Sequence, residues 1–276
     1  MDEAALRADM IEGLEHQLGE PLGASVLASL QAVPRSAFVD DAPYANDTRE
    51  GAETRALAPA TVARMLTALD ADEGDDVLVV GAGIGYTSAA LAEIVGARHV
   101  HAVDIDRRAV QLARSNLGDA GYDAVLVDRR DGARGLPEYA PYDRVLIEAA
   151  VVTPPRALCD QLADGGRIVY PRGTAVQTVV AVEPVGDGDP TPHDNPAPDS
   201  DPALDSDPAP DSDPAPDGFR TVEELGPARL RPMLVDGEQG WRERNRTRRE
   251  DAEFADRGYF ATSGWEQDWI DWDDRL

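Results

Sequence analysis

Lysine is missing from this chain altogether. All 26 basic residues are arginine, set against 53 Asp and Glu, and the formal net charge over 276 residues is −27. A charge of that size and sign argues against general nucleic-acid binding and against attachment to an anionic membrane, both of which need a basic surface. Cysteine is nearly missing too: Cys159 stands alone, so no internal disulfide can form. Its place in the helically patterned stretch from Pro155 to Leu162 predicts a small buried apolar role in a reduced cytoplasm. No apolar run approaches about 18 residues and the N-terminus opens on acids, so neither a membrane span nor a signal peptide is expected. Aromatics make up only 5% of the chain. Abundant acid, absent lysine and few aromatics together predict a protein suited to a salt-rich cytoplasm, where a short Debye length screens self-repulsion. A disordered acidic segment supplies part of the acidity, yet acids also run through Asp40-Asp41 and Asp70 to Asp76.

Against these absences stands one concentrated signal, Val77-Leu78-Val79-Val80-Gly81-Ala82-Gly83-Ile84-Gly85-Tyr86. Four apolar, mostly β-branched residues read as a strand buried on both faces, and the glycines let the backbone turn into a helix starting near Thr87. The third glycine comes one place earlier than in the dinucleotide fingerprint G-x-G-x-x-G, which leaves room for a pyrophosphate. Gly81-x-Gly83-x-Gly85 is instead the order of the S-adenosylmethionine (SAM) methyltransferases, whose cofactor carries no phosphate. An ordinary strand-to-helix turn would also use glycine, so the loop needs support. The next strand supplies it: Val100-His101-Ala102-Val103 ends at Asp104, where a doubly wound fold places the acceptor for two ribose hydroxyls. Asp104 also suits a helix cap before Arg107, and the two roles are compatible. A third strand, Ala124 to Val127, leads to Arg130-Asp131-Gly132, an acid and a glycine placed to suit an adenine amino group and a close loop.

In chain order, residues 1–70 read as an N-terminal helical cap. Leu6, Met10, Ile11, Leu14 and Leu18 keep helical spacing, a break falls at Gly19-Glu20-Pro21, and Val26, Leu27 and Leu30 resume it. His16 on this first helix reads as surface or packing. Residues 71–185 form the α/β core, in which Pro154-Pro155 starts a helix, Gly165-Gly166 makes the turn after it, and Arg167 to Tyr170 and Thr178 to Val182 are strands. Residues 186–218 repeat Asp-Pro-Ala-Pro-Asp-Ser and cannot bury a core. They read as a disordered surface insertion containing an exposed His193. Residues 219–235 return as a final strand from Phe219 to Leu234. Residues 236–276 are an extension with Arg242, Arg244, Arg246, Arg248 and Arg249 among acids, then Trp265, Trp269 and Trp272. That pattern fits a salt-bridged helix whose tryptophans dock on the core or a partner, with a nucleic-acid contact as the less favoured reading. His99 and His101 alternate on one strand, but no third metal ligand is evident, and no metal is expected.

Val33-Pro34-Arg35 with Phe38-Val39, Pro59 opening the helix with Val62-Ala63-Arg64-Met65-Leu66, and the glycine loop together resemble the protein-L-isoaspartate O-methyltransferase family. The likeness runs on through Asp131-Gly132, Pro141-Tyr142-Asp143, Leu162 to Pro171 and Leu230-Arg231-Pro232-Met233, covering roughly residues 20 to 235 apart from the insertion. The composition around it is haloarchaeal in type. The resemblance implies a class I SAM-methyltransferase fold: α/β, Rossmann-like, a doubly wound mostly parallel sheet with an N-terminal helical cap. It implies methyl transfer from SAM to the free carboxylate of isoaspartyl residues in damaged protein or peptide substrates. By the same resemblance Gly81, Ala82, Gly83 and the loop closing at Gly85 meet the methionine portion, Asp104 the ribose, and Asp131 with Gly132 the adenine. A monomer in the cytoplasm is expected, without membrane or nucleic-acid partner.

The chain departs from the family at the acceptor side. Where the family has Gln-Thr-Ile-Ser-x-Pro, this sequence has Thr54-Arg55-Ala56-Leu57-Ala58-Pro59, so the serine position is Leu57 and the threonine position Arg55. Thr54 can offer a hydroxyl only if the loop slips. Arg55 is either a partner for a substrate carboxylate or a solvated loop residue. After the fourth strand a family threonine or glycine is replaced by Glu148, which repels a carboxylate unless protonated or paired. These departures leave two alternatives open: a SAM methyltransferase with another acceptor, and a SAM-binding module with little turnover that acts through its tail.

Overall fold

The structure, a computed structural model, describes residues 3–19, 21–50, 55–174, 176–185, 215–216 and 218–234. Thr54, most of the 186–218 insertion with His193, and the 236–276 extension therefore lie outside the described residues.

Seven strands form one sheet: β1 (Val77–Val80), β2 (Val100–Asp104), β3 (Leu126–Arg129), β4 (Tyr142–Ile147), β5 (Leu162–Arg172), β6 (Gln177–Pro184) and β7 (Phe219–Ala228), in the order β3-β2-β1-β4-β5-β6-β7. The pairs from β3 across to β5 are parallel, and β6 runs antiparallel to both of its neighbours. The order reverses between β1 and β4, so a crevice opens at the carboxyl ends of these two strands, where open α/β sheets bind ligands. β1 is buried at all four positions, as its unbroken apolar run requires. Val77 and Val79 face one core cluster while Leu78 and Val80 face the other, the period-two alternation of a strand.

Helices α1 (Glu3–Leu18), α2 (Ala24–Ala32), α3 (Pro59–Leu69), α4 (Tyr86–Val95) and α5 (Arg107–Asp119) contribute to the larger cluster, with Met10, Ile11 and Leu14 as the buried stripe of α1. α3 begins with Pro59 in its first turn, where proline loses no hydrogen bond, and ends at Asp70 in the left-handed conformation. The opposite face is covered thinly by the single turn α6 (Arg156–Cys159) and by short 3-10 turns.

Several expected boundaries move. The helix expected from Pro155 to Leu162 is only α6, because Gln161 is already committed to β4: its carbonyl accepts the Tyr142 N–H at 2.9 Å and its side chain bonds Leu136 N and Arg134 O. Gly165 and Gly166 lie inside β5 rather than in a turn before it. They take up the register shift between Tyr142↔Leu162 and Arg144↔Arg167, and a Cβ on Gly166 would stand 2.9 Å from the Asp143 carbonyl. β3 lies two residues later than expected. The final strand stops at Ala228, after which the buried Gln177 holds Leu230 through two hydrogen bonds, Nε2 to Leu230 O (2.9 Å) and Oε1 from Leu230 N (2.7 Å), while Nε2 also donates to Thr174 O (3.1 Å). Arg231 to Met233 then runs beside Ala150, with paired backbone bonds of 2.8 and 3.0 Å. Cys159 is half-buried against the smaller cluster. His99 sits in a 3-10 turn ahead of β2 and bonds Asp76 at 2.8 Å, so it does not alternate with His101, which is buried and stacked on Tyr139 at 4.5 Å. His16 is exposed.

Candidate functional site

The glycine loop leaves β1 with Gly81, Gly83 and Gly85 all in the left-handed region (φ +102°, +53° and +87°), a path closed to side-chain-bearing residues without strain. Gly81 and Ala82 both donate their N–H to the Val103 carbonyl, at 2.8 and 3.1 Å, which ties the loop to the end of β2. Gly85 has another reason to be glycine: a Cβ there would meet Leu117 at 3.1 Å and the Ala113 carbonyl at 3.2 Å, so it lets α4 settle against α5.

Asp104 ends β2 beside that loop. Oδ2 accepts the Gly83 N–H at 3.1 Å and Oδ1 the Asp106 N–H at 2.9 Å. Burial raises its carboxyl above the ordinary carboxylate range, against the pull of those two amides. Asp104 is not the cap of α5. That role belongs to Asp106, which accepts from Arg108 N at 2.9 Å, leaving Asp104 turned towards the loop. Asp131 caps the next 3-10 turn by accepting the Ala133 N–H at 2.9 Å, and Gly132 lies so close to Val80 that a Cβ would stand 2.4 Å from Val80 Cγ1. The sequence-predicted residues Gly81, Ala82, Gly83, Asp104, Asp131 and Gly132 thus occupy the carboxyl ends of three adjacent strands.

On the other side of the loop Arg35, Arg55, Leu57, Thr87 and Glu148 line a narrow crevice of about 10 Å³, room for about one water molecule. Arg35 is almost fully buried. Its Nη2 donates to the Leu57 carbonyl at 2.5 Å and its guanidinium lies over the Tyr86 ring, 4.5 Å from the centroid. The Leu57 side chain packs against the larger core cluster, so position 57 presents backbone and hydrocarbon, not a hydroxyl. The Arg55 carbonyl comes within 3.8 Å of where a Gly83 side chain would begin.

Glu148 follows β4 and donates its N–H to the Val80 carbonyl at 2.8 Å. Burial is the main force on its carboxyl, pushing it up to about 7; nearby Asp104 adds to the rise, while the Thr87 hydroxyl and Arg35 oppose it. Oε1 is buried and finds no hydrogen-bond partner among the described residues. The sequence marks Glu148 as a departure but not the burial of its Oε1, and it offers no hint that Arg35 is internal beyond the apolar residues Val33, Phe38 and Val39 around it.

Residues 7–193 match the sequence profile of the family described as protein-L-isoaspartate(D-aspartate) O-methyltransferase (PCMT). A protein-L-isoaspartate O-methyltransferase of Methanocella arvoryzae is 41% identical over 163 residues, 57% of this chain and 87% of that one. One of Aeropyrum pernix is 42% identical over 195 residues, 67% of this chain and 74% of that one. Among solved structures, a Plasmodium falciparum protein assigned to the same activity and bound to S-adenosyl-L-homocysteine superposes with a TM-score of 0.61, covering 82% of this chain and 97% of that one. At 15% identity that likeness speaks for the fold alone.

Proposed function

This chain belongs to the protein-L-isoaspartate(D-aspartate) O-methyltransferase family, and on that premise we propose that it methylates the free carboxylate of L-isoaspartyl residues in damaged proteins, with SAM as donor. The observation that carries this reading is the bare backbone of Gly81 and Gly83 held against Asp104 by the 3.1 Å bond from Gly83 N to Oδ2. The residues present fit the cofactor: the loop at Gly81 and Gly83 carries no side chain, and the acid Asp104 beside it stands where ribose hydroxyls need an acceptor. Gly81, Ala82 and Gly83, with Gly85 closing the loop, would hold the methionine portion, Asp104 the ribose, and Asp131 with Gly132 the adenine. When bound, SAM supplies an electrophilic methyl group on a positively charged sulfur.

The chain's own contribution is alignment and exclusion of water. An isoaspartyl carboxylate has a solution pKa near about 3.5 and is ionised at neutral pH, so no general base is needed. Arg55 is among the crevice-lining residues, and in this reading its guanidinium would meet the acceptor carboxylate. Leu57 closes the apolar side, keeping water from the reacting atoms.

The same reading takes the chain as a cytoplasmic monomer built for high salt, with residues 1–70 as cap, 71–185 and 219–235 as core, 186–218 as a surface insertion and 236–276 as an added tail. Among the described residues no helix is long and apolar enough to cross a membrane. A second reading, a SAM methyltransferase with another acceptor, is favoured by Leu57 and Glu148 alone. The test is mass spectrometry of an isoaspartyl peptide after incubation with enzyme and SAM. A gain of one methyl group that mild base removes supports carboxyl methylation; a base-stable gain on another substrate, with none on this peptide, supports the second reading.

A further inference from the structure

Glu148 is the one acid lining the Arg35–Arg55–Leu57 crevice among the described residues. Its place is fixed by backbone proximity rather than by a flexible reach. The Glu148 Cβ lies 3.2 Å from where a Gly81 side chain would begin, and Oε2 lies 4.0 Å from the same point on Gly83. The Thr87 hydroxyl lies close enough to favour the charged carboxylate, yet Oε1 is buried without a hydrogen-bond partner. A buried carboxyl oxygen left unpaired is costly unless something arrives to pair with it.

The incoming group in the isoaspartyl reading is itself a carboxylate, and two ionised carboxylates in one dry site repel. A neutral carboxylic acid does the opposite, donating a hydrogen bond as a hydroxyl does. We propose that Glu148 works protonated, donating from Oε1 to one oxygen of the acceptor carboxylate, and that it thereby selects a carboxylate acceptor and sets the upper pH limit of the reaction. This rests on the isoaspartyl reading above.

The surroundings bear on the proton from every side. Asp104 at the end of β2 opposes its loss. Arg35, from the turn after α2, and the Thr87 hydroxyl of α4 favour its loss, and burial outweighs both. Tyr86 on α4 and Arg55, in the segment before α3, complete the lining. In the transfer itself the acceptor's other oxygen forms the new C–O bond while the electron pair of the methyl–sulfur bond goes to sulfur, and Glu148 keeps its proton.

The test compares wild type with Glu148→Gln, which keeps the shape and a donor but cannot titrate. Initial rates on an isoaspartyl peptide are read as S-adenosylhomocysteine released, because the ester itself is labile at higher pH. Wild-type kcat/KM is expected to fall about tenfold per pH unit above about pH 7 to 8, whereas the variant stays flat between about pH 6 and 9. In parallel, calorimetry of the peptide binding to enzyme with S-adenosylhomocysteine, in two buffers of different ionisation heat, should show proton uptake by wild type at about pH 8 and none by the variant. Transfer that is flat with pH, or equal proton uptake by both proteins, overturns the role of Glu148 and leaves the isoaspartyl reading standing. SAM binding without transfer at any pH overturns the isoaspartyl reading and this role with it.

Discussion

Gly83 donates its backbone N–H to Oδ2 of Asp104 at 3.1 Å, which joins the loop after the first sheet strand directly to the acid that ends the second. Two features twenty-one residues apart in sequence are one structural unit, and a ligand that touches the loop also meets the acid. Replacing Asp104 with alanine removes a buried carboxyl acceptor and loosens Gly83 at once. SAM binding should weaken by about 1.5 to 3 kcal/mol, the usual worth of hydrogen bonds to a charged group, as read by calorimetry. An unchanged dissociation constant would take Asp104 out of the site.

Gly132 is glycine for lack of space. An added methyl group would begin 2.4 Å from Val80 Cγ1 and 3.2 Å from Met233 Cε, so Gly132→Ala must push against a core strand. Overpacking of this kind costs about 1 to 3 kcal/mol, visible as an earlier midpoint in denaturant. Gly23→Ala is the control for glycine replacement in general: its φ of −57° suits a side chain and nothing lies within 4 Å.

Gln177 is the anchor of the returning segment. Replacement by leucine keeps the volume but strands the buried N–H and C=O of Leu230. Stability should drop by about 2 kcal/mol or more, and amide exchange at Leu230 and Met233 should accelerate more than exchange in β1.

His101 is buried against Tyr139 and Tyr142, with ring centroids 4.5 and 5.9 Å away, and burial pulls its imidazole below the ordinary value of 6.5. The unfolded chain then takes up a proton at a higher pH than the folded one. Its contribution to stability is present above about pH 6.5 and is lost as the pH falls towards the folded value. His101→Phe keeps the stacking and should flatten the stability profile between about pH 6.5 and 5, measured by denaturation at fixed salt. An unchanged slope would mean that other groups carry it.

The first sheet strand, the glycine loop and the acids after β2 and β3 were legible because each is a local rule: a four-residue apolar run, a glycine order, an acid at a strand end. The first N-terminal helix was legible from the spacing of Leu6, Met10, Ile11, Leu14 and Leu18, of which Met10, Ile11 and Leu14 are buried. Local rules fail where tertiary pairing competes. Gly165-Gly166 reads as a turn, yet the edge of β4 captures the chain from Leu162 onward and the glycines absorb the register shift. Asp104 reads as the cap before Arg107, yet Asp106 two residues on takes that role, and Asp104 accepts the Gly83 N–H instead. The internal position of Arg35 depends on a ring from α4 and a carbonyl from residue 57, neither of which is near in sequence.

The measurement that bears most directly on the account is transfer of labelled methyl from SAM to an isoaspartyl peptide and to its ordinary aspartyl twin, in multimolar KCl, with SAM binding measured on the same preparation. The account predicts SAM binding and base-labile label on the isoaspartyl peptide alone. Equal labelling of both peptides, or label on neither by a protein that binds SAM, would contradict it.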